Sequence, residues 1–245
     1  MILELDCGNT RIKWRLRDGV LITHRGAFPT SEGLNGVISG ELASESIERV
    51  LIGSVLGEEF RKKLVAWSLG YFQINPEFAV SELLCNGVTN GYQQPEKLGV
   101  DRWLAVLAAK AKTPGACIIV DCGSAITVDL VTAQGEHLGG YIAPGLRLMR
   151  EALGANTSAI KLGQIGYPEN DFPGRNTVAA IKSAELAMIE GLVIRARAAL
   201  LHYEASAPAV WVTGGDGEWL TSQLEGSRFV EDLVLDGLGI ALSSQ

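Results

Sequence analysis

The sequence contains few of the residues that build metal sites and disulfide frameworks, and it has no long apolar run. Its four cysteines form no CxxC pair, and its three histidines are widely scattered, which argues against a zinc site. No segment approaches the roughly 18 apolar residues of a membrane span, and the N-terminus lacks the pattern of a signal peptide. We therefore expect reduced thiols in a soluble, cytoplasmic protein with no membrane partner.

Several common nucleotide-binding and hydrolase motifs are also missing. The chain has no GxxxxGK[ST] loop, no GxGxxG opening a βαβ unit, and neither GxSxG nor HExxH, so P-loop and Rossmann sites are not indicated. Basic residues are outnumbered, with 21 Lys and Arg against 28 Asp and Glu, a net charge of -7 and a pI near 5.1. This balance argues against a nucleic-acid partner.

One pattern occurs twice, at Asp6-Cys7-Gly8-Asn9-Thr10 and at Asp121-Cys122-Gly123-Ser124. In each copy a short apolar run ends in Asp-Cys-Gly and a second run follows, which predicts a strand, a tight turn and an antiparallel strand. Gly8 and Gly123 are expected to turn the backbone at positive φ. The repeat favours two similar domains, 1–113 and 114–245, in a chain of 245 residues.

Both turns are suited to a polyphosphate. Each has a carboxylate at the end of its first strand, and hydroxyl, amide or ammonium donors around the turn. The side chains concerned are Asp6, Asn9, Thr10 and Lys13 in the first copy, and Asp121, Ser124 and Thr127 in the second. Hard oxygen ligands and such donors are what a magnesium nucleotide needs. The alternative is a plain hairpin turn, in which Asp and Gly are ordinary, but two copies at equivalent places favour a ligand.

The apolar periodicity predicts a repeated order of strands and helices. In the first half it predicts strands at 2–7, 10–17, 20–27, 49–55 and 71–74, with helices at 30–43, 58–69 and 101–112 and a polar loop over 81–98. In the second half it predicts strands at 116–121, 124–132, 136–143 and 209–213, with helices at 146–153, 178–205 and 237–242. This order matches the duplicated actin-like, or ribonuclease H-like, α/β plan. In that plan each domain is a mixed sheet flanked by helices, and a nucleotide cleft lies between the domains.

Two further segments have both a structural and a functional interpretation. Gly214-Gly215 follows a predicted strand, where the missing Cβ atoms allow a backbone or a flat ring to approach; in an actin-like fold the adenine lies there. A turn without a ligand is the alternative. Asp101 and Arg102 begin a predicted helix, where the acid could be a helix cap and the arginine a solvated charge.

Together these segments resemble the type III pantothenate kinases, bacterial enzymes of the actin-like kinase superfamily that phosphorylate pantothenate with ATP in the first step of coenzyme A synthesis. The resemblance covers nearly the whole chain. Its motifs are DxGNTxxK at 6–13, GxDRW at 99–103, DxGTAxTxD at 121–129, GGYIxPG at 139–145 and TGGD at 213–216. The second phosphate motif has Ser124 where the family usually has Thr; the hydroxyl is kept, but the methyl that stiffens χ1 is lost.

The resemblance implies a role for each motif residue. Asp101 would be the catalytic base, and Arg102 would bind the pantothenate carboxylate. Asp121 would help to hold a monovalent cation, K⁺ or NH₄⁺, and Mg²⁺ would come with the nucleotide near Asp6. The residues implied to bind ATP are Asp6, Gly8, Asn9, Thr10, Lys13, Gly123, Ser124, Thr127, Gly214 and Gly215; those implied to line the pantothenate pocket are Tyr92, Gly99, Arg102 and Thr177.

The resemblance also implies a homodimer with substrate bound close to the subunit interface, for which the 178–205 helix is a candidate surface. Two other functions stay open. One is another actin-like kinase acting on a small molecule such as a sugar or acetate, although sugar kinases do not share the GxDRW helix with Tyr92. The other is a nucleotide-binding regulatory protein of the same family, against which Asp101 and the two phosphate motifs argue.

Overall fold

A computed structural model describes residues 1–37, 46–157, 166–167 and 173–243 of the chain. Contacts divide the chain into unit 1, residues 1–112 with 232–245, and unit 2, residues 113–231. The division into actin-like domains at residues 113 and 114 stays a prediction; the contact-based unit 1 also includes the C-terminal helix. Within the described residues, no helix combines the length and the apolar composition needed to cross a membrane.

Unit 1 is built on a mixed five-stranded sheet. Its strands are β1 (Ile2–Cys7), β2 (Arg11–Asp18), β3 (Leu21–Pro29), β4 (Arg49–Ser54) and β5 (Glu77–Phe78), in the order β3-β2-β1-β4-β5. Strand β1 pairs antiparallel with β2 and parallel with β4. Leu3, Leu5 and Cys7 alternate into the buried core, as the two-residue period of a strand requires. Glu4 and Asp6 consequently lie on the opposite face of β1.

Three helices and a small hairpin complete unit 1. The helices are α1 (Glu58–Phe72), α2 (Val100–Ala111) and α6 (Leu233–Leu242), and a short hairpin of β6 (Leu84–Cys85) and β7 (Val88–Thr89) precedes α2. The hairpin turns at Asn86 and Gly87, which both have positive φ. This is the Asn-Gly pair that two-residue hairpins favour.

Unit 2 repeats the sheet of unit 1. Strands β8 (Cys117–Cys122), β9 (Ala125–Val131), β10 (His137–Pro144), β11 (Ala209–Thr213) and β12 (Ser227–Phe229) lie in the order β10-β9-β8-β11-β12. As in unit 1, the first strand pairs antiparallel with the second and parallel with the fourth. The helices of unit 2 are α3 (Leu146–Asn156), α4 (Thr177–Leu200) and α5 (Gly217–Gln223). The predicted α/β plan with two mixed sheets is confirmed.

Several predicted elements differ from the structure. The strand predicted at 71–74 is wrong, because α1 continues to Phe72 and the edge strand is β5; Phe72 and Ile74 instead pack against the core of unit 1. The helix predicted at 30–43 is a 3₁₀ segment, Thr30–Val37, interrupted at Gly33, and its remainder lies outside the described residues. Helix α4 ends at Leu200, and α6 begins before the predicted 237. Neither α5 nor β12 was predicted.

Helices α2 and α6 pack closely at Gly237. A Cβ at this position would lie 2.7 Å from the Cα of Leu104 and closer still to its carbonyl oxygen, so the glycine allows the two backbones to approach. We expect Gly237→Ala to lower the free energy of unfolding by about 2 kcal/mol, because the helices must separate. Gly70→Ala in α1 is the matched control, since no atom lies near its added Cβ and alanine improves helix propensity. Equal destabilisation by both changes in urea unfolding would contradict the packing role.

Candidate functional site

The first repeated turn joins β1 to β2 in unit 1. The backbone N–H of Gly8 donates to the carbonyl oxygen of Arg11 at 3.0 Å, and the hydroxyl of Thr30 donates to the carbonyl oxygen of Gly8 at 2.8 Å. Asn9 and Thr10 are exposed at the tip. The turn therefore fixes its backbone internally and presents an amide and a hydroxyl side chain to solvent.

The positive φ predicted at Gly8 and Gly123 is wrong. Neither residue lies in the left-handed region, and short distances explain the glycines instead. An added Cβ would lie 3.1 Å from the carbonyl oxygen of Arg11 at Gly8, and 3.3 Å from Oδ1 of Asp121 at Gly123. A side chain would crowd the turn in unit 1 and the strand-end carboxylate in unit 2.

Asp6 and Lys13 are directly opposite each other on β1 and β2. Both are partly exposed, and in an antiparallel pair opposite side chains lie on the same face. A carboxylate and an ammonium group thus flank the exposed turn. The carboxylate suits a hard cation and the ammonium group suits a phosphate.

The second repeated turn joins β8 to β9 in unit 2. The N–H of Gly123 donates to the carbonyl oxygen of Ala125 at 3.0 Å, and the carbonyl oxygen of the exposed Ser124 accepts from the N–H of Gly145 at 3.0 Å. Asp121 is directly opposite Thr127, at the positions that Asp6 and Lys13 occupy in unit 1. The second turn therefore offers hydroxyl groups where the first offers an ammonium group.

The Gly214-Gly215 turn lies against the end of β8. Gly214 has a φ of +93°, and an added Cβ would lie 2.5 Å from both Oδ1 of Asp121 and the carbonyl oxygen of Cys122. The N–H of Asp216 donates to that same carbonyl oxygen at 3.0 Å. Gly214 is therefore required by its conformation and by the close approach. Gly215 is exposed, and no atom lies within 4 Å of a Cβ added there.

Asp101 lies in the first turn of α2 but does not cap it. The N-cap residue is Gly99, and no side chain caps the helix. Oδ1 of Asp101 accepts from the N–H of Arg102 at 2.8 Å and would lie 2.7 Å from a Cβ at Gly99. Gly99 thus leaves room for the carboxylate, which remains partly exposed.

Arg102 is buried, so the interpretation of its side chain as a solvated charge is wrong. It is 6% exposed, its Nη1 donates to the hydroxyl of Tyr92 at 2.6 Å, and its Cζ lies 5.6 Å from the centre of the Tyr92 ring. Within unit 1 the structure therefore brings together four of the predicted residues, namely Tyr92, Gly99, Asp101 and Arg102.

Asn90 supports this group, although its sequence context only indicated a polar loop. The side chain is 3% exposed, and its Oδ1 accepts from the N–H of Tyr92 at 3.0 Å. Its Nδ2 donates to the carbonyl oxygens of Glu82 at 3.2 Å and Pro95 at 3.1 Å. Asn90 thus links the loop segment before Tyr92 to the segment after it by hydrogen bonds.

Thr177 is the first residue of α4 in unit 2, after the N-cap Asn176, whose Oδ1 accepts from the N–H of Ala179 at 2.8 Å. It borders a cavity of about 410 Å³ between α3 and α4. The other lining residues are mostly apolar: Met149, Leu153, Ala180, Ile181, Ala184, Glu185 and Met188. Glu185 is held by a bidentate pair with Arg150, in which both N–O distances are 2.7 Å.

The cysteines beside the two turns are not nucleophiles. All four cysteines of the chain are free and buried. Burial, and secondarily the charge of Asp6, raises the pKa of Cys7; burial, with Asp216 and Asp121, raises the pKa of Cys122. Both thiols stay protonated at neutral pH and pack as small apolar groups.

The chain is similar in sequence to known proteins over nearly its whole length. A family model described as "Type III pantothenate kinase" matches residues 2–198. The protein of that name from Pseudomonas fluorescens strain Pf0-1 is 38% identical over 250 residues, covering 98% of each chain. The one from Cellvibrio japonicus strain Ueda107 is 35% identical over 242 residues, covering 98% of this chain and 96% of its own.

Solved structures are similar over the whole chain at low identity. A protein described as a Baf family transcriptional activator from Campylobacter jejuni has a TM-score of 0.67 at 20% identity, covering 99% of this chain and 98% of its own. A protein described as a 2-dehydro-3-deoxygalactonokinase from Sinorhizobium meliloti has a TM-score of 0.57 at 15% identity, covering 100% of this chain and 99% of its own. MreB 5 of Spiroplasma citri has a TM-score of 0.52 at 12% identity, covering 99% and 96%. These similarities confirm the actin-like fold.

Proposed function

The chain belongs to the type III pantothenate kinase family, and on that premise we propose that it transfers the γ-phosphoryl group of ATP to the primary hydroxyl of pantothenate, in the first step of coenzyme A synthesis. The observation that supports this acceptor is the start of α2. There a partly exposed carboxylate, Asp101, is adjacent to the buried guanidinium of Arg102, which Tyr92 orients. A base beside an anion-binding cation matches an acceptor that has a hydroxyl and a carboxylate.

Asp101 is the proposed base. Its carboxylate takes the proton of the pantothenate hydroxyl as that oxygen attacks the γ-phosphorus, which requires an oxygen–oxygen distance of about 2.6 to 3.2 Å in the complex. The bond that Asp101 accepts from the N–H of Arg102 uses Oδ1. That bond fixes the orientation of the carboxylate group, which is proposed to meet the acceptor hydroxyl.

Arg102 is proposed to bind the pantothenate carboxylate, with Tyr92 as its positioning partner. A guanidinium fork pairs well with a carboxylate because two N–H donors can meet two oxygens. The Tyr92 hydroxyl accepts from Nη1, which orients the guanidinium. Gly99 provides room for Asp101, and Thr177 is proposed to contribute its hydroxyl to pantothenate.

The two repeated turns are proposed to bind the ATP phosphates. One set of donors comprises Gly8, Asn9, Thr10 and Lys13, and the other comprises Gly123, Ser124 and Thr127. Gly214 and Gly215 are proposed to lie beside the adenine. A divalent metal ion, proposed to be Mg²⁺ near Asp6, neutralises phosphate charge when it is bound with the nucleotide. Asp121 is proposed to help hold K⁺ or NH₄⁺, for which its carboxylate oxygens are suitable hard ligands.

A coupled ADP-release assay tests this function. Purified protein with magnesium ATP should release ADP only when pantothenate is present, and turnover should fall when sodium replaces potassium. Release that does not depend on pantothenate would contradict the acceptor. Pantothenate-dependent release that is equal in both salts would contradict the monovalent-cation site alone.

Replacing Arg102 by alanine should raise the KM for pantothenate by roughly 10- to 100-fold, because a charge-assisted hydrogen bond to the carboxylate is lost. The KM for ATP should change little. Arg61→Ala is the control, since Arg61 is an exposed arginine of unit 1 that stacks on Phe78 at 3.8 Å. An equal rise in both KM values for Arg102→Ala would contradict the assignment.

A homodimer that uses α4 is part of the same proposal. Apolar side chains on this helix are strongly exposed, with Val178 at 42%, Met188 at 50% and Ile194 at 65%, and they are of the kind that subunit contacts bury. Sedimentation velocity tests it, because a purely monomeric chain at micromolar concentration would contradict the dimer. A cytoplasmic location is proposed from the four buried, unbridged thiols and is tested by cell fractionation.

A further inference from the structure

Tyr167 and Trp219 form an aromatic pair in unit 2. Their ring centroids are 5.1 Å apart and the ring planes differ by 3°, which is an offset stack. The hydroxyl of Tyr167 donates to Oδ1 of Asp216 at 3.1 Å. Tyr167 is nevertheless 46% exposed, so the tyrosine ring lies on the surface and covers a face of the tryptophan.

The aromatic pair is attached to the segment that meets the second phosphate turn. Trp219 lies in the first turn of α5 and packs against the core of unit 2. Asp216 directly precedes α5, and its N–H donates to the carbonyl oxygen of Cys122, the residue before Gly123. Gly215, the residue before Asp216, has open space beside it, because no atom lies within 4 Å of a Cβ added there. The indole and the carboxylate therefore lie on one short segment, which is hydrogen-bonded to the residue before the second repeated turn.

Tyr167 is held in place by its backbone as well as by its ring. The carbonyl oxygen of Gly166 accepts from Nη2 of Arg150 at 3.2 Å, and Arg150 is itself fixed by Glu185, whose side chain is 2% exposed. Burial, followed by the charge of Asp216, raises the pKa of the Tyr167 hydroxyl. The hydroxyl therefore remains a donor to Asp216 at neutral pH. The contact between Gly166 and Arg150 does not involve the Tyr167 ring, so the ring can leave Trp219 without breaking that contact.

We propose that the purine base of the nucleotide stacks on Trp219 in the place that Tyr167 occupies, and that its exocyclic amino group donates to Asp216 as the tyrosine hydroxyl does. The proposal rests on the proposed function for the identity of the nucleotide. A flat ring with a hydrogen-bond donor at its edge describes both the phenol and adenine, whose N6 amino group is a donor. Trp219 then supplies affinity for the purine ring, Asp216 accepts from its amino group, and Tyr167 competes with the purine for this place.

Equilibrium binding of AMPPNP and of inorganic tripolyphosphate, measured by calorimetry without pantothenate, tests the exchange. Trp219→Leu keeps apolar packing but removes the ring, and should weaken AMPPNP binding about 10-fold, since stacking of a base on an aromatic ring is worth about 1 to 3 kcal/mol. Tripolyphosphate binding should not change. Tyr167→Ala should instead tighten AMPPNP binding several-fold, because the competitor is removed.

Tyr71→Ala is the matched control. Tyr71 is a 58% exposed tyrosine beside Trp67 in unit 1, with ring centroids 6.4 Å apart, and its loss should leave AMPPNP binding unchanged. Wild-type AMPPNP affinity in a folded Trp219→Leu protein would overturn the stacking site. Weakening by Tyr167→Ala would overturn the competition. Wild-type protein that binds AMPPNP but releases no ADP with pantothenate would refute the proposed function and leave this inference standing.

Discussion

Asp101→Asn should lower kcat with pantothenate by roughly 100-fold or more, the usual contribution of a positioned general base, while the KM for ATP changes little. Asparagine has the shape of aspartate and keeps an oxygen that can accept from the N–H of Arg102, as Oδ1 does at 2.8 Å. The substitution therefore removes basicity and charge but not the local backbone contact. The measurement is steady-state ADP release with each substrate varied in turn.

Asp18→Asn is the control for Asp101→Asn. Asp18 is an exposed acid at the end of β2, so its neutralisation alters the net charge equally without touching the start of α2. Turnover within about two-fold of wild type is expected for it. If Asp101→Asn retained comparable turnover, Asp101 would not be the base; if it lost nucleotide binding in the same proportion, its role would be structural.

Much of the fold could be predicted because each repeated element has a local signal. The strands of both sheets alternate apolar and polar residues or are wholly apolar, and Gly8 and Gly123 mark the ends of β1 and β8. The errors occur where tertiary packing, and not the local sequence, determines the secondary structure. Phe72 and Ile74 are apolar enough for a strand, but Phe72 is the last residue of α1 and both side chains pack against the core of unit 1. Strand β12 has only three residues and an exposed arginine, so nothing local identifies it.

The candidate site was predictable in residue type but not in conformation. Glycine at a turn suggested positive φ, whereas at Gly8 and Gly123 the reason for glycine is that an added Cβ would lie within 3.1 to 3.3 Å of an oxygen atom. Such distances depend on strands that meet only in the folded chain. The same limit applies to Asn90, whose amide binds backbone atoms on both sides of a loop, and to the Tyr167–Trp219 stack, whose members are distant in sequence.

A buried ionic network on β1 and β2, the strands that flank the first repeated turn, was likewise invisible in the sequence. Glu4 is 0% exposed and Arg15 is 4% exposed, and they are directly opposite each other on β1 and β2. Glu4 accepts from Nε of Arg15 at 2.5 Å and pairs with Nη2 of Arg17 at 2.9 Å. Nη1 of Arg15 also donates to Asp236 of α6 at 2.7 Å. The network thus connects the hairpin that carries Asp6 and Lys13 to the C-terminal helix.

Burial lowers the pKa of Arg15, but the charges and hydrogen bonds of Glu4 and Asp236 raise it more, so the guanidinium remains charged inside the protein. A buried ion pair contributes modest net stability compared with apolar residues, yet removing one partner leaves an uncompensated charge. The carboxylate of Glu4 balances the charges of two arginines, Arg15 and Arg17. Its neutralisation should therefore cost more than the loss of any exposed pair in unit 1.

Glu4→Gln is accordingly expected to lower the free energy of unfolding by about 3 to 5 kcal/mol, a large part of the 5 to 15 kcal/mol that is roughly typical of a folded domain. Glu59→Gln is the matched control: Glu59 is 88% exposed and pairs with Lys63 at 3.2 Å, so about 0.5 kcal/mol or less is expected. Urea unfolding followed by tryptophan fluorescence measures both. Similar small losses for the two variants would mean that Asp232 and Asp236, which lie 3.7 and 2.7 Å from Nη1 of Arg15, suffice to balance Arg15 without Glu4.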